Sequence, residues 1–330
     1  MFEKILVEKE ILHNQYTQHI LNKLNTSAPI IIDKLDNHWG KVKKPYLQKR
    51  TNLNLFIGKK RGTLVKEAPD AYGLDGAPHF YFIHSYNCIY ECQYCFLQGY
   101  FNTPDLVLYV NHDEIINEIS KTLQKHPNAW FHAGEFSDSL ALNHITNEWS
   151  EYWQFFKLNP KAKLELRTKS VNIKNILTLE PLKNVLLTFS LSPQDPSKEF
   201  DLKTPSTKVK IKAMRKLSDS NFQLGVHFDP IIYSDDIEKN YNTLITELLD
   251  NVNLELINYF SLGVVRYTKD VYRQVKINYP TSKLHSHPYI KSFDNKIRYS
   301  KPMRNWLLSS VKEILLSKGV PESKIYLCME

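Results

Sequence analysis

The apolar and polar positions of the chain fall into two rhythms. Short apolar runs, HFYFIHS (79–85), AWFHAG (129–134), KLELRTK (163–169), NVLLTFSLS (184–192), FQLGVHFDP (222–230) and INYFSLGVV (257–265), read as strands. Between them, NHDEIINEISKTLQK, STKVKIKAMRKLSDS and EKNYNTLITELLDN repeat their apolar residues at three- and four-residue intervals and read as helices. Six strands interleaved with helices predict repeated βαβ units and a parallel sheet. A helix over RNWLLSSVKEILLSKG and a strand at KIYLC are placed to cap it. Ahead of this pattern, residues 1–30 read as a mostly polar amphipathic helix followed by the apolar strand IIIDKL. A basic, turn-rich stretch, GKVKKPYLQKRTNLNLFIGKKRG, then leads into the Gly/Pro/Asp segment APDAYGLDGAP. The expected organisation is an N-terminal extension, residues 1–75, packed on a core at residues 76–330. No internal repeat or low-complexity tract interrupts it.

Composition narrows the class. With 330 residues, 42% hydrophobic and 12% aromatic, the chain has ample material for a packed core, which excludes global disorder. No apolar run reaches membrane-spanning length, and MFEKILVEKEILHNQY lacks the apolar centre of a signal peptide, so the expectation is a cytoplasmic protein with no membrane partner. The net charge of +8 suits a polyanionic partner such as nucleic acid, because Lys and Arg neutralise phosphates and release counterions.

Candidate chemistry concentrates in NCIYECQYCFLQG (87–99), where Cys88, Cys92 and Cys95 stand in a C-x3-C-x2-C spacing. The chain has only one other cysteine, Cys328. In a reducing compartment, clustered thiols are metal ligands or redox groups more often than disulfides. The cluster follows the first strand of the alternating pattern, and in parallel α/β folds chemistry gathers at the C-terminal strand ends. Three thiolates on one loop suit an iron–sulfur cluster, zinc or Cu(I). A structural zinc needs a fourth ligand, for which His84 is the nearby candidate. Three protein ligands instead leave one iron of a 4Fe–4S cube open to a non-protein ligand.

A C-x3-C-x-aromatic-C loop after the first strand of a partial (β/α)6 TIM-like barrel resembles the radical S-adenosylmethionine (radical SAM) enzymes. Within them, CIYECQYCFLQGYFNTPDLVLYVNHDEI is similar to the spore photoproduct lyase family, and the likeness continues through RTKS, FSLS, PIIY and RYTKDVYRQVKINYP, covering roughly residues 50–330. The resemblance implies an α/β fold of the radical SAM type with C-terminal helix and hairpin elements. It implies that Cys88, Cys92 and Cys95 hold the cluster while SAM chelates the fourth iron. Reduction then cleaves SAM to methionine and a 5′-deoxyadenosyl radical that abstracts hydrogen from the substrate. It implies further a reducing partner such as flavodoxin or ferredoxin, and a lyase reaction that repairs thymine dimer photoproducts in DNA. Tyr94 falls where family members contact the adenine through the backbone.

Other site candidates follow from the same likeness. Glu135, in WFHAGEFSDS, matches the Gly-Glu motif whose carboxylate binds the SAM ammonium by a charge-assisted hydrogen bond; an acid capping the next helix is the alternative. In spore photoproduct lyases this position is the cysteine that returns a hydrogen atom to the product radical, a role closed to a carboxylate because its O–H bond is too strong. Three explanations follow: a thiol supplied by Cys328, a tyrosine donor, or a different substrate. Ser137 and Asp138 keep the family's Ser-Asp pair, and Lys169 and Ser190 match polar positions facing SAM, with Lys169 either pairing the SAM carboxylate or lying along the rim. Asp229 ends a strand with no assigned role. Arg266 matches an arginine near the lesion pocket, and SFDNKIRYSKP (292–302), with Arg298 and Tyr299, resembles a β-hairpin inserted beside DNA, where interleaved aromatic and basic residues suit stacking and phosphate contact. His285 and His287 in LHSHPY have a metal-like spacing on a polar loop. A protein that binds nucleic acid through an iron–sulfur or zinc site without catalysis is the remaining functional class.

Overall fold

The computed structural model describes residues 2–26, 28–38, 52–69, 76–101 and 103–328. Residues 40–51 of the basic stretch and 70–75 of the Gly/Pro/Asp segment lie outside these described residues. The chain opens with a strand, β1 (Phe2–Glu8), in place of the expected helix, and turns helical only at α1 (Gln15–Lys23). The cause is long-range. Leu6, Val7 and Glu8 are buried, and the Glu8 carboxylate accepts the backbone N–H groups of Leu35 and Lys59, both at 2.7 Å, and the Arg61 guanidinium at 2.8 Å. A buried carboxylate needs such partners, and they hold the segment extended. Asn14 then starts α1 by accepting the Tyr16 N–H at 2.8 Å.

The following elements are β2 (Ile30–Ile32), β3 (Leu53–Gly58), β4 (Val65–Glu67), β5 (His79–Phe82), β6 (Ser85–Tyr86), β7 (Glu91–Cys92) and β8 (Leu106–Tyr109). After α2 (His112–Lys125) come β9 (Trp130–His132), α3 (Asn143–Thr146), α4 (Trp149–Leu158) and β10 (Lys163–Thr168). Next are β11 (Val185–Ser190), α5 (Gln194–Phe200), β12 (Asp201–Leu202), α6 (Thr207–Asp219), β13 (Gln223–Ile231), α7 (Ile237–Asn251), β14 (Ile257–Val264) and β15 (Arg266–Tyr267). The chain continues with α8 (Lys269–Asn278), β16 (Tyr289–Lys291), β17 (Ile297–Tyr299), α9 (Lys301–Ser317) and β18 (Ile325–Leu327). None of the described helices is long and apolar enough to cross a membrane.

The chain divides into two compact units. The first comprises the chain up to Ile89, Tyr100–Arg167 and Asn172–Val185. In it β2, β1, β3, β8 and β6 form a sheet in that order, parallel except at β6. Leu55, Ile57, Leu106 and Leu108 pack on Ile20 and Leu21 of α1, and Phe56, Val107 and Tyr109 form a second apolar layer. The same unit aligns β5, β9 and β10 in parallel, with β4 antiparallel beside β5. Strand alternation puts Phe80, Phe131 and Leu164 on one face and His79, His132 and Glu165 on the other. His79 Nδ1 meets His132 Nε2 at 2.8 Å, and His132 in turn hydrogen-bonds Glu165.

The second unit comprises Tyr90–Gly99, Thr168–Val171 and the chain from Leu186 onward. Here β11, β13, β14 and β18 are parallel neighbours. Their apolar face, with Leu187, Phe189, Val226, Phe228, Phe260 and Leu262, is buried beneath helices that turn Met214 and Leu217 of α6, Leu244 and Leu248 of α7, and Leu307 and Val311 of α9 inward. β15, β17 and β16 form a small antiparallel sheet in that order. The parallel strands β5, β9 and β10 of the first unit and β11, β13 and β14 of the second are the six read from the sequence, and the helices between them fall where the periodicity placed them.

Candidate active site

The cysteine loop leaves β6 through Asn87, whose φ of 63° is left-handed, a conformation asparagine tolerates better than most residues. Its amide donates to the carbonyls of Thr103 (2.8 Å) and Asp105 (2.7 Å), fixing the turn that delivers Cys88. In the second unit, β7 pairs antiparallel with β12, so that Cys92 stands opposite Asp201. The Gln93 amide donates to the Glu199 carbonyl at 2.9 Å, and Gln98 donates to the carbonyls of Cys92 (3.0 Å) and Gln93 (3.1 Å). From α8, Asn278 donates to Gln98 at 2.8 Å; beyond it, Tyr279 donates to Glu91 at 3.2 Å. Lys203 pairs with Glu91 at 2.9 Å. The loop is thus strapped to α5, β12 and α8 through backbone pairing and side-chain amides.

Cys92 is buried, Cys88 and Cys95 are half-buried, and none of the three is in a disulfide. Burial pushes the Cys92 thiol far above its ordinary value, Asp201 and Cys95 reinforce the shift, and the charges of Lys169 and Lys210 oppose it. Among the described residues, no three His, Cys, Asp or Glu side chains are gathered closely enough to hold a single metal ion. The donor set nonetheless fits an iron–sulfur cube, which takes each thiolate on a different iron and so needs no convergence on one point. Tyr94 turns its phenol to Asp201, with the Lys169 ammonium 5.5 Å from its ring centre. Burial and the Asp201 charge hold the Tyr94 hydroxyl protonated well beyond its usual range.

In the first unit, Gly134 leads out of β9. A Cβ there would lie 2.7 Å from Arg167 Cβ and 2.9 Å from the Arg167 carbonyl, so only glycine fits. Glu135, Ser137 and Asp138 follow, all half-buried, with Asp138 accepting the Leu140 N–H at 3.0 Å. Glu135 does not cap a helix, since α3 begins only at Asn143. In the second unit, Lys169 is half-buried and Ser190, at the end of β11, is buried opposite His227.

Asp229, to which the sequence assigned nothing, is the bidentate partner of Arg266, at 3.3 and 3.2 Å. The same guanidinium lies 3.7 Å from Cys328 Sγ, a buried thiol just past β18. These three residues come from the ends of separate strands of one unit. The expected hairpin is present as β16 and β17, pairing Ile290 with Arg298. Its expected contact residues face inward. Arg298 is 6% exposed and bonds Asp294 (3.3 Å) and Ser292 (3.1 Å); Tyr299 is fully buried, its hydroxyl accepting the Tyr233 N–H at 3.1 Å and hydrogen-bonding His287. The residue that projects is Phe293, 96% exposed in the turn. His285 bonds the Tyr279 carbonyl, so it and His287 are each engaged separately.

Six parallel strands with a three-cysteine loop after the first of them define an α/β protein of the partial-barrel radical SAM type. A family profile of spore photoproduct lyase matches residues 76–302. The chain belongs to the spore photoproduct lyase family. It is 26% identical over 208 residues to spore photoproduct lyase of Bacillus subtilis, a match covering 60% of this chain and 59% of that relative's length. The corresponding enzyme of Clostridium acetobutylicum is 20% identical over 289 residues, covering 86% and 84% of the two chains. Among solved structures, a doubly substituted spore photoproduct lyase with bound AdoMet and dinucleoside spore photoproduct superposes with a TM-score of 0.82 at 21% identity, covering 99% of this chain and 98% of that one. A spore photoproduct lyase complexed with dinucleoside spore photoproduct gives 0.80 at 20% identity with the same coverage. These similarities establish the fold.

Proposed function

We propose that this chain is a radical SAM enzyme that acts on thymine photoproducts of DNA. Cys88, Cys92 and Cys95 would hold a 4Fe–4S cluster which, with SAM bound, supplies the one-electron cleavage that generates a 5′-deoxyadenosyl radical. The observation that carries the reading is the cysteine loop itself, strapped by β12 and α8 through backbone carbonyls and the Gln93 and Gln98 amides. By the family likeness, Glu135 would accept from the SAM ammonium and Lys169 would pair with the SAM carboxylate. Ser137, Asp138 and Ser190 would each offer SAM a polar contact, and the Tyr94 backbone would meet the adenine. Arg266, oriented by Asp229, would hold an anionic part of the lesion. The reducing partner would be a low-potential carrier of the flavodoxin or ferredoxin kind.

The hydrogen-atom donor is the point at which this chain departs from its relatives. With Glu135 in the donor position, the Cys328 thiol, 3.7 Å from the Arg266 guanidinium, would serve as the donor. Support for both parts comes from one experiment: anaerobically reconstituted protein given SAM, dithionite and a dinucleotide photoproduct. It should release 5′-deoxyadenosine and monomeric thymidine products. Cys92→Ala should abolish both, and Cys328→Ala should preserve 5′-deoxyadenosine while diverting the repaired product. Iron-loaded protein that leaves SAM intact would end the catalytic reading.

A further inference from the structure

Helix α6 has two chemically distinct faces. Lys210, Ile211, Met214 and Leu217 point inward, where the helix packs on β13, α5 and α7, while Lys208, Val209, Lys212, Arg215 and Lys216 are exposed. The helix follows β12, the strand that pairs with β7 and sets Asp201 opposite Cys92. Lys210 is fully buried on the inner face. The strand that straps the cysteine loop therefore leads into the helix whose outer face is basic.

Of the exposed cations, Arg215 pairs with Asp219 at 3.8 Å. Lys208, Lys212 and Lys216 have no ion pair among the described residues. Val209, 44% exposed, sits among them. An apolar spot ringed by cations is the pattern of a small, transient protein contact, of the size typical of redox encounters. A phosphate backbone would have no use for the valine.

We propose that the outer face of α6 is the docking surface for an acidic one-electron carrier protein that reduces the metal group held by the cysteine loop. This rests on the reading of that loop as a cluster site. In each encounter the reduced flavin or iron–sulfur centre of the carrier loses one electron and the group on the loop gains it; no bond is made or broken in this protein. The excess of unpaired lysines steers the acidic partner and keeps the complex short-lived.

The test uses the full-length reconstituted protein, a Lys208→Glu/Lys212→Glu/Lys216→Glu variant, and an acidic flavodoxin as probe. Binding is measured directly by interferometry at low ionic strength, without turnover. The variant should bind flavodoxin at least about tenfold more weakly, with the difference shrinking at high salt. Flavodoxin-driven release of 5′-deoxyadenosine should fall in parallel, while dithionite-driven release stays at the wild-type level. A second variant, Val209→Asp, keeps every cation and should weaken flavodoxin binding severalfold while leaving duplex oligonucleotide binding unchanged. Wild-type flavodoxin affinity in the triple variant would overturn the proposal. So would loss of oligonucleotide affinity with flavodoxin affinity intact, which would assign the face to nucleic acid. Dithionite failing to release 5′-deoxyadenosine from either protein would count against the cluster reading, and the binding arm would still decide the surface.

Discussion

Each of the two units contains an acid–base pair near its strand ends, and the two pairs have opposite relations to water. In the first unit, Glu148 meets His84 at 3.0 Å and His112 at 3.9 Å and takes the Thr146 hydroxyl at 3.2 Å. Its side chain is 5% exposed, and the His84 ring is packed against Trp149 and Phe82. In the second unit, Asp229 and Arg266 form a two-bond pair with side chains 21% and 20% exposed. Both carboxylates have close partners of their own. Only the second keeps a wet side on which an anionic ligand can displace water and share the guanidinium. Residue type alone would make both catalytic candidates; burial sets the first apart as scaffold and leaves the second able to meet a ligand.

The sharpest way to break this contrast is to remove each carboxylate. Glu148→Ala leaves the buried His84 imidazole without its carboxylate partner and should cost about 3–5 kcal/mol in urea unfolding. Asp229→Asn keeps the side-chain shape of a pair about one-fifth exposed and should cost less, about 1–3 kcal/mol. Its larger effect should be on dinucleotide photoproduct affinity, because Arg266 loses its anchor. Equal folding costs for the two substitutions would erase the distinction between scaffold and site.

Acid provides the next test. Burial pushes the Glu148 carboxyl up, but the charge and hydrogen bond of His84, with the charge of His112, outweigh it and hold the group below its ordinary 4.5. Burial holds His112 below its ordinary 6.5. Both folded-state values are depressed, so both groups contribute stability that is complete above their unfolded values and lost as pH falls. The unfolding midpoint should therefore decline on acidification from about pH 6.5, where the unfolded chain begins to take up a proton at His112, and more steeply below pH 4.5, where Glu148 joins. Glu148→Gln should flatten the lower part of that decline. A Glu148→Gln curve parallel to wild type at low pH would show that the acid sensitivity lies elsewhere.

What the sequence made legible follows the same division. The six parallel strands were visible because each is a short apolar run between amphipathic helices, and the cysteine loop because its spacing has few other uses. The strand β1 was not, because its extended form depends on Leu35, Lys59 and Arg61 reaching Glu8 from far along the chain. Two-residue strands such as β7 and β12 carry no periodicity, so the strap on the cysteine loop, with Asp201, Gln98 and Asn278, had no signal in the sequence. The hairpin was expected from the family likeness, which carried no sign of the face that is buried; Arg298 and Tyr299 turned inward and Phe293 outward. Asp229 could be placed at a strand end, yet its pairing with Arg266 depends on β13 and β14 being neighbours in space.

The smallest expected effects sharpen the comparison most, because they use the same substitution in both units. At Gly134 an added methyl would meet the Arg167 backbone, 2.9 Å from its carbonyl oxygen, and a strand end cannot retreat from that contact cheaply. Gly134→Ala should therefore cost about 1–3 kcal/mol in folding. At Gly263 the three nearest atoms are all in the Asp229 carboxyl group, at 2.6–2.8 Å. That group is the end of a half-exposed side chain and can swing toward water. Gly263→Ala should accordingly cost less than about 1 kcal/mol in stability, while turning Asp229 away from Arg266 and weakening dinucleotide photoproduct binding a few-fold in a titration. If Gly263→Ala instead destabilises the fold as much as Gly134→Ala and leaves binding untouched, the Asp229–Arg266 pair is scaffold too, and the anionic end of the lesion must be held by other cations of the second unit.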